Sequence, residues 1–272
     1  MKNIWLITMF TIREALARKI FIIFFVVSSL VITGFAIGFA LFDYNSYVQI
    51  KVGKLTEQDI LSEILFGIKG MIVGPLFGGG LLLSIFSTAG IISYLLEKGN
   101  IDLFLSKPIS RTQLILGKYF GGIAIVLINV AYAIIGLWIL IGLKFNNWDL
   151  SFLYSIITIT FAFALIYTVI ILCTILSRGN VLALVVAYVI FFILSPLLAG
   201  REVIYNISHN EVVKVILDAL HYIIPQTSEL GTLSTKLATQ GIIANTEPIW
   251  VSCILLILIL SGSIFIFNKK DY

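Results

Sequence analysis

Charged side chains are what this sequence is short of. Only 12% of its 272 residues are Asp, Glu, Lys or Arg, about half the share of an average soluble chain, while 60% are hydrophobic. Folded in water, such a chain exposes apolar patches that aggregate. A soluble enzyme, a disordered tail and a secreted disulfide scaffold are therefore excluded. Cysteine is scarce as well. Cys173 and Cys253 each sit inside a long apolar run, with no CxxC or Cys/His spacing to hold a metal and no extracellular pairing. The class that remains is an all-α integral membrane protein.

Six stretches carry no charged residue and are long enough to cross a bilayer: 20–42, 70–96, 119–143, 150–177, 179–200 and 248–268. A helix rises about 1.5 Å per residue, so a hydrocarbon core of about 30 Å takes about 20 residues. A β-barrel needs strands that alternate in and out, and these runs are uniformly apolar. The first run exceeds the about 7–15 residues of a signal-peptide core and follows an amphipathic segment, so it reads as an uncleaved span. Six spans put both ends of the chain 1–272 on one side. That side holds eleven Lys and Arg against four acidic residues, and the other holds seven against ten. The positive-inside rule places both termini in the cytoplasm of a multi-pass cell-membrane protein. The net charge of +4 then reflects topology and anionic lipid, with no nucleic-acid partner.

The segments between the spans are punctuated. Residues 1–19 form an amphipathic helix in the membrane interface, with Trp5, Met9, Ile12 and Leu16 at helical spacing and a bend near Arg18 and Lys19. A short helix is expected after Thr56, capped with Asp59 nearby. The external segment 201–247 is expected to hold short helices. Ser208 and Glu211 have capping-box spacing, and Lys214 and Asp218 sit four apart. Pro225 ends that helix, and Leu230, Leu233 and Leu237 suggest a second, lying on the outer surface or dipping into it.

The cytoplasmic loop 97–118 is the most informative. Gly99 can stop the second span by taking the left-handed conformation. Asn100 can cap a new helix with Asp102 in its first turn, and Leu103 and Phe104 supply apolar contact points. Pro108 disfavours helix at Lys107, closing that helix after about two turns. Ser110 and Gln113 have the spacing of a capping box that opens the third span. Such a short, rigid crosswise helix suits docking into another protein.

This loop resembles the signature of ABC-2-type transporter permeases, and within them most the permease class associated with multicopper-enzyme maturation, including the nitrous oxide reductase accessory transporter. The matching positions are Glu97, Gly99, Asn100, Ile101 to Leu105, Lys107-Pro108-Ile109-Ser110-Arg111 and Gly117-Lys118, with Arg13-Glu14-Ala15 in place of a basic-acidic pair near the start. Asn100 stands where Thr is usual. The resemblance implies a coupling helix seated in a separate cytoplasmic ATPase, with Glu97, Asp102, Lys107 and Arg111 making polar contacts and Leu103 and Phe104 filling its cleft. It also implies two permease copies, identical or closely related, on two ATPase copies. ATP and magnesium would be bound by that partner. This chain has no Gly-x-x-x-x-Gly-Lys-Ser/Thr, which leaves it a permease without catalytic residues or a cofactor of its own.

The spans themselves lack Asp, Glu, Lys and His, which ion-coupled pumps use as relays. A body driven from outside is the resulting expectation, with an ATPase-independent carrier or channel as the alternative. Gly34 and Gly38, and Gly70, Gly74 and Gly78, repeat every four residues and let helices approach closely, either for internal packing or as a sliding surface. Pro75 allows a kink. Asn129, Tyr132, Thr158, Thr160, Tyr167, Thr168 and Tyr188 are expected in the main to bond to neighbouring helices, with a place on a translocation path as the alternative for some of them. His209, His221 and Met71 make no copper route, so no metal site is expected. No residue identifies the substrate, and force transmission to an external partner protein stands beside transport.

Overall fold

The computed structural model of the protein describes residues 2–17, 19–42, 56–97, 99–100, 109–208, 210–243 and 245–270. These residues form helices and turns and no strand. Six helices are long and apolar enough to cross a membrane, so the all-α membrane fold expected from composition holds.

Helix α1 (Lys2–Ala17) is separated from α2 (Ile20–Leu41) by Lys19. That residue takes a left-handed φ of 58°, a conformation that costs a side-chain-bearing residue about 1–2 kcal/mol. Helix α3 (Glu57–Leu95) opens on a capping box in which Thr56 accepts from the Asp59 amide and Asp59 accepts from the Thr56 amide. Here the structure differs from the expected short outer helix followed by a span from Gly70. One helix of 39 residues runs through both, past Gly67, Gly70 and Pro75. Lys69, just before the expected span, is buried and paired with Asp149 at 2.5 Å, so its charge does not interrupt the helix. At about 1.5 Å per residue α3 is far longer than a bilayer core, and its first turns project beyond it.

Helix α4 (Arg111–Phe145) follows the Ser110 and Gln113 capping box, both bonds of which are present. It begins two turns before the expected span and takes in Lys118. A 3-10 turn (Leu150–Leu153) leads into α5 (Tyr154–Ser177). Arg178, at φ 58°, turns the chain into α6 (Asn180–Val189). A π turn (Ile190–Leu194) and α7 (Ser195–Ala199) complete that crossing. The π turn has a local cause. Pro196 has no N–H for the Phe192 carbonyl and its ring crowds that carbonyl. The wider turn relieves the crowding, with the Ser195 amide reaching back five residues to the Ile190 carbonyl.

Helices α8 (Arg201–Ser208), α9 (Glu211–Ile223) and α10 (Thr227–Gln240) precede the last crossing, α11 (Glu247–Lys269). The cap of α9 is Asn210, which accepts from the Val212 amide, and not Ser208. Asp218 turns from Lys214 to Tyr205 and Arg201.

Helix α5 is the centre. It packs against α3, α4, α6, α10 and α11, and nearly all of 159–171 is buried. A helix apolar on every side belongs inside. The equally apolar α2 and α11 instead expose Ile22, Ile23, Leu30, Trp250, Ile257 and Leu258, a surface suited to hydrocarbon. Of the two positions left open for α10, the structure takes the deeper one. Its Leu230, Leu233 and Leu237 are buried between α3 and α5, Gly231 abuts Phe77, and Ser234 and Thr158 share a hydrogen bond of 2.7 Å.

Candidate functional site

The segment expected to couple the bundle to a partner joins α3 to α4. Its Asp102, Leu103, Phe104, Lys107 and Pro108 lie outside the described residues. Its two ends are described. At the α3 end, Glu97 is exposed and the helix closes at Leu95 with Leu96 as a right-handed cap. Gly99, whose φ of +92° suits glycine, therefore turns the chain three residues beyond that cap and is not the helix stop the sequence suggested. The Asn100 amide donates to the Glu97 carbonyl at 3.1 Å. Its side chain turns back, Nδ2 donating to the Tyr94 carbonyl at 3.0 Å. Asn100 thus satisfies a carbonyl of the helix it follows, one of the four that every helix C-terminus leaves open.

At the other end, Arg111 has a partner that the sequence did not suggest. Its Nη1 donates to the Phe267, Asn268 and Lys270 carbonyls at 3.3, 3.3 and 2.8 Å. The residue expected to reach for an ATPase caps the C-terminus of α11 instead. Lys270 in turn donates to the Ile175 and Leu176 carbonyls at 2.8 and 3.2 Å, capping α5. Cations at helix C-termini stabilise by about 0.3–1 kcal/mol each. Asn268 Nδ2 also donates to Thr112 Oγ1 at 3.2 Å. The first turn of α4 is therefore tied to the ends of α5 and α11.

Helix α1 completes the arrangement. It follows α4 in step, Asn3 donating to Gln113 at 3.2 Å and Thr8 to the Gly117 carbonyl at 3.2 Å. A Cβ at Gly117 would strike Ile7, and one at Gly121 would strike Thr11. These two glycines, four apart, let the backbones meet. Lys118 Nζ, fully buried, lies 2.6 Å from Glu14 Oε2. A lone ammonium buried away from water costs several kcal/mol, and the carboxylate offsets that cost. The two short motifs carrying the resemblance, Arg13-Glu14-Ala15 and Gly117-Lys118, thus meet through their charged members. The outer face of α1 leaves Trp5 and Leu6 exposed.

The glycine repeats behave otherwise. A Cβ at Gly34, Gly38, Gly70, Gly74 or Gly78 would meet nothing within 4 Å among the described residues, so the internal helix packing expected of them is not made there. Because α2 lies on α4 rather than on α3, its glycines face an apolar groove of about 850 Å³ shared with Gly67 and Met71 of α3. The close-packed glycines are others: Gly117, Gly121, Gly122 against Tyr167, Gly136 against Ile32, Gly142 against Trp148 and Gly231 against Phe77. The Gly117–Gly121 spacing was legible, but no local signal named its partner.

Three of the polar membrane residues bond between helices: Tyr132 to Ser29, Thr158 to Ser234 and Tyr188 to the Leu82 carbonyl. Asn129 and Thr168 bond within their own helices. Among the described residues no group of three His, Cys, Asp or Glu could hold a metal.

The family model described as ABC-2 family transporter protein matches residues 12–272. A search of the curated proteins finds no match. With nearly the whole chain covered, and six apolar helices arranged about a connected end where both termini lie, the chain belongs to the ABC-2 transporter family as a membrane-spanning permease.

Proposed function

We propose that the protein is the permease subunit of an ATP-binding cassette transporter. A separate cytoplasmic ATPase would bind ATP and magnesium, and two ATPase copies would drive two permease copies in the cytoplasmic membrane. The family match over 12–272 carries this reading. The terminal end of the bundle supports it, because a push on the 97–111 segment enters α4, which is bonded to α1 and to the ends of α11 and, through Lys270, α5. Leu103 and Phe104 would fill the ATPase cleft, with Glu97, Asp102 and Lys107 at its rim.

Phe104→Asp puts a charge where an apolar contact is needed and is expected to abolish permease-stimulated ATP hydrolysis while leaving membrane insertion intact. The measurement is ATPase activity of the co-purified complex. A mutant complex that assembles and hydrolyses ATP normally removes the coupling assignment. Transport by the permease alone in liposomes would favour an ATPase-independent carrier or channel instead.

A further inference from the structure

At the end of the bundle away from the termini, α10 wedges between α3 and the π turn and leaves a two-part pocket. The inner part, about 490 Å³, is apolar and of the size of small-molecule sites. Phe77 and Phe191 stack with centroids 6.3 Å apart, and Phe192 meets Phe191 edge-on at 4.8 Å. Gly74 and Gly78 leave its α3 wall bare. The π turn is what brings Phe191 and Phe192 to this wall, and π turns inside α-helices recur at functional sites. The α10 start is fixed to α7 just after that turn, the Ser228 amide donating to Ser195 Oγ at 2.8 Å.

The outer part, about 410 Å³, is polar and shares Thr232 and Lys236 with the inner one. Lys236 is exposed and has no ion pair among the described residues. Beyond it the lining turns acidic, with Glu202, Glu229 and Glu247 around Arg201 and His221. Arg201 is already bound to Asp218 and Glu229, and Glu247 accepts from Tyr222 at 2.9 Å. From the inside outward the order is apolar chamber, cation with hydroxyls, then carboxylates.

That order matches one chemical class. We propose that the pocket binds a phospholipid with a primary ammonium in its headgroup. An acyl chain occupies the aromatic chamber, the phosphate meets Lys236 and the Thr232 hydroxyl, and the ammonium faces Glu202 and Glu247. A purely anionic lipid satisfies Lys236 but meets the carboxylates as like charges. A neutral glyceride satisfies neither. The proposal concerns binding and does not depend on the ATPase.

The test is photolabelling of the full chain in nanodiscs by diazirine-tailed phosphatidylethanolamine, phosphatidylglycerol or diacylglycerol, without ATPase, with the labelled peptides mapped. Phosphatidylethanolamine should label 191–196 and 228–236 best. Lys236→Gln should cut labelling by both phospholipids about tenfold, the worth of a charge-assisted phosphate contact, while Lys236→Arg retains it. Glu202→Gln with Glu247→Gln should erase the preference for phosphatidylethanolamine over phosphatidylglycerol. Gly78→Leu, entering open space, should block all three probes, and an unchanged elution profile shows that the fold survives. Equal labelling by the three lipids, or labelling indifferent to Lys236→Gln, overturns the assignment. Neither result bears on ATP-driven coupling, which Phe104→Asp addresses separately.

Discussion

Lys118 shows how one residue is made tolerable at depth. Its ammonium is buried beside Glu14 and sits over the Phe10 ring, 5.5 Å from the centroid. Removing one partner of such a pair leaves the other charge buried and costs about 3–5 kcal/mol. Glu14→Gln and Lys118→Met are each expected to lower the melting temperature of the purified permease, whereas the exchanged pair Glu14→Lys with Lys118→Glu restores part of the loss. Thermal unfolding in detergent, read for all three, gives the coupling; equal damage from the exchange and the single variants would mean the two charges act separately.

Among the elements, α1 depends on contacts with no room to spare. Gly121→Val sets a branched side chain against Thr11, so α1 should lift from α4 and become open to protease, with the rest of the bundle intact. Limited proteolysis followed by mass spectrometry checks this; an undigested N-terminus would count against it. The outer helices answer to pH. His221 Nδ1 lies 3.1 Å from Arg201 Nη1 and its Nε2 lies 3.0 Å from Gln226 Nε2. Burial pushes the imidazole below its usual 6.5, opposed by Glu229, Glu247 and Asp218 and aided by Arg201. A depressed histidine means that the unfolded segment takes up the proton first. The contribution of the outer helices is therefore complete above pH 6.5 and falls away as acid is added below it. Hydrogen-exchange protection factors in α9 and α10, which divide out the base-catalysed intrinsic rate, should fall between pH 7.5 and 5.5, and His221→Gln should flatten that response.

For the whole molecule, the charge asymmetry sets a direction. With both native cysteines replaced, Asn245→Cys should react with an impermeant maleimide on intact cells, and Asn268→Cys only after permeabilisation. The opposite pattern would invert the bundle and place the coupling segment outside. The first pattern would put the two-part pocket in the extracytoplasmic half and the bonded helix ends in the cytoplasmic one. A motor on one side and a binding pocket on the other would then be joined through α3, which borders both, and through α5, which links α4 to α10.

Class, number of crossings and several helix starts were set by the sequence alone, because each depends on a run of neighbouring residues. Twenty uncharged apolar residues demand a bilayer whatever surrounds them, and Thr56 with Asp59 or Ser110 with Gln113 caps a helix without outside help. Tertiary structure decided which helices are neighbours. It paired Glu14 with Lys118 across 104 positions, turned Arg111 onto α11, left the glycine repeats facing open space and drew α10 in beside Phe77. None of this was legible, because a helix apolar all round buries equally well on any side and its sequence carries no mark of the face it will use. Only the packing of six such helices against one another selects those faces, and with them the places where charge and cavity come together.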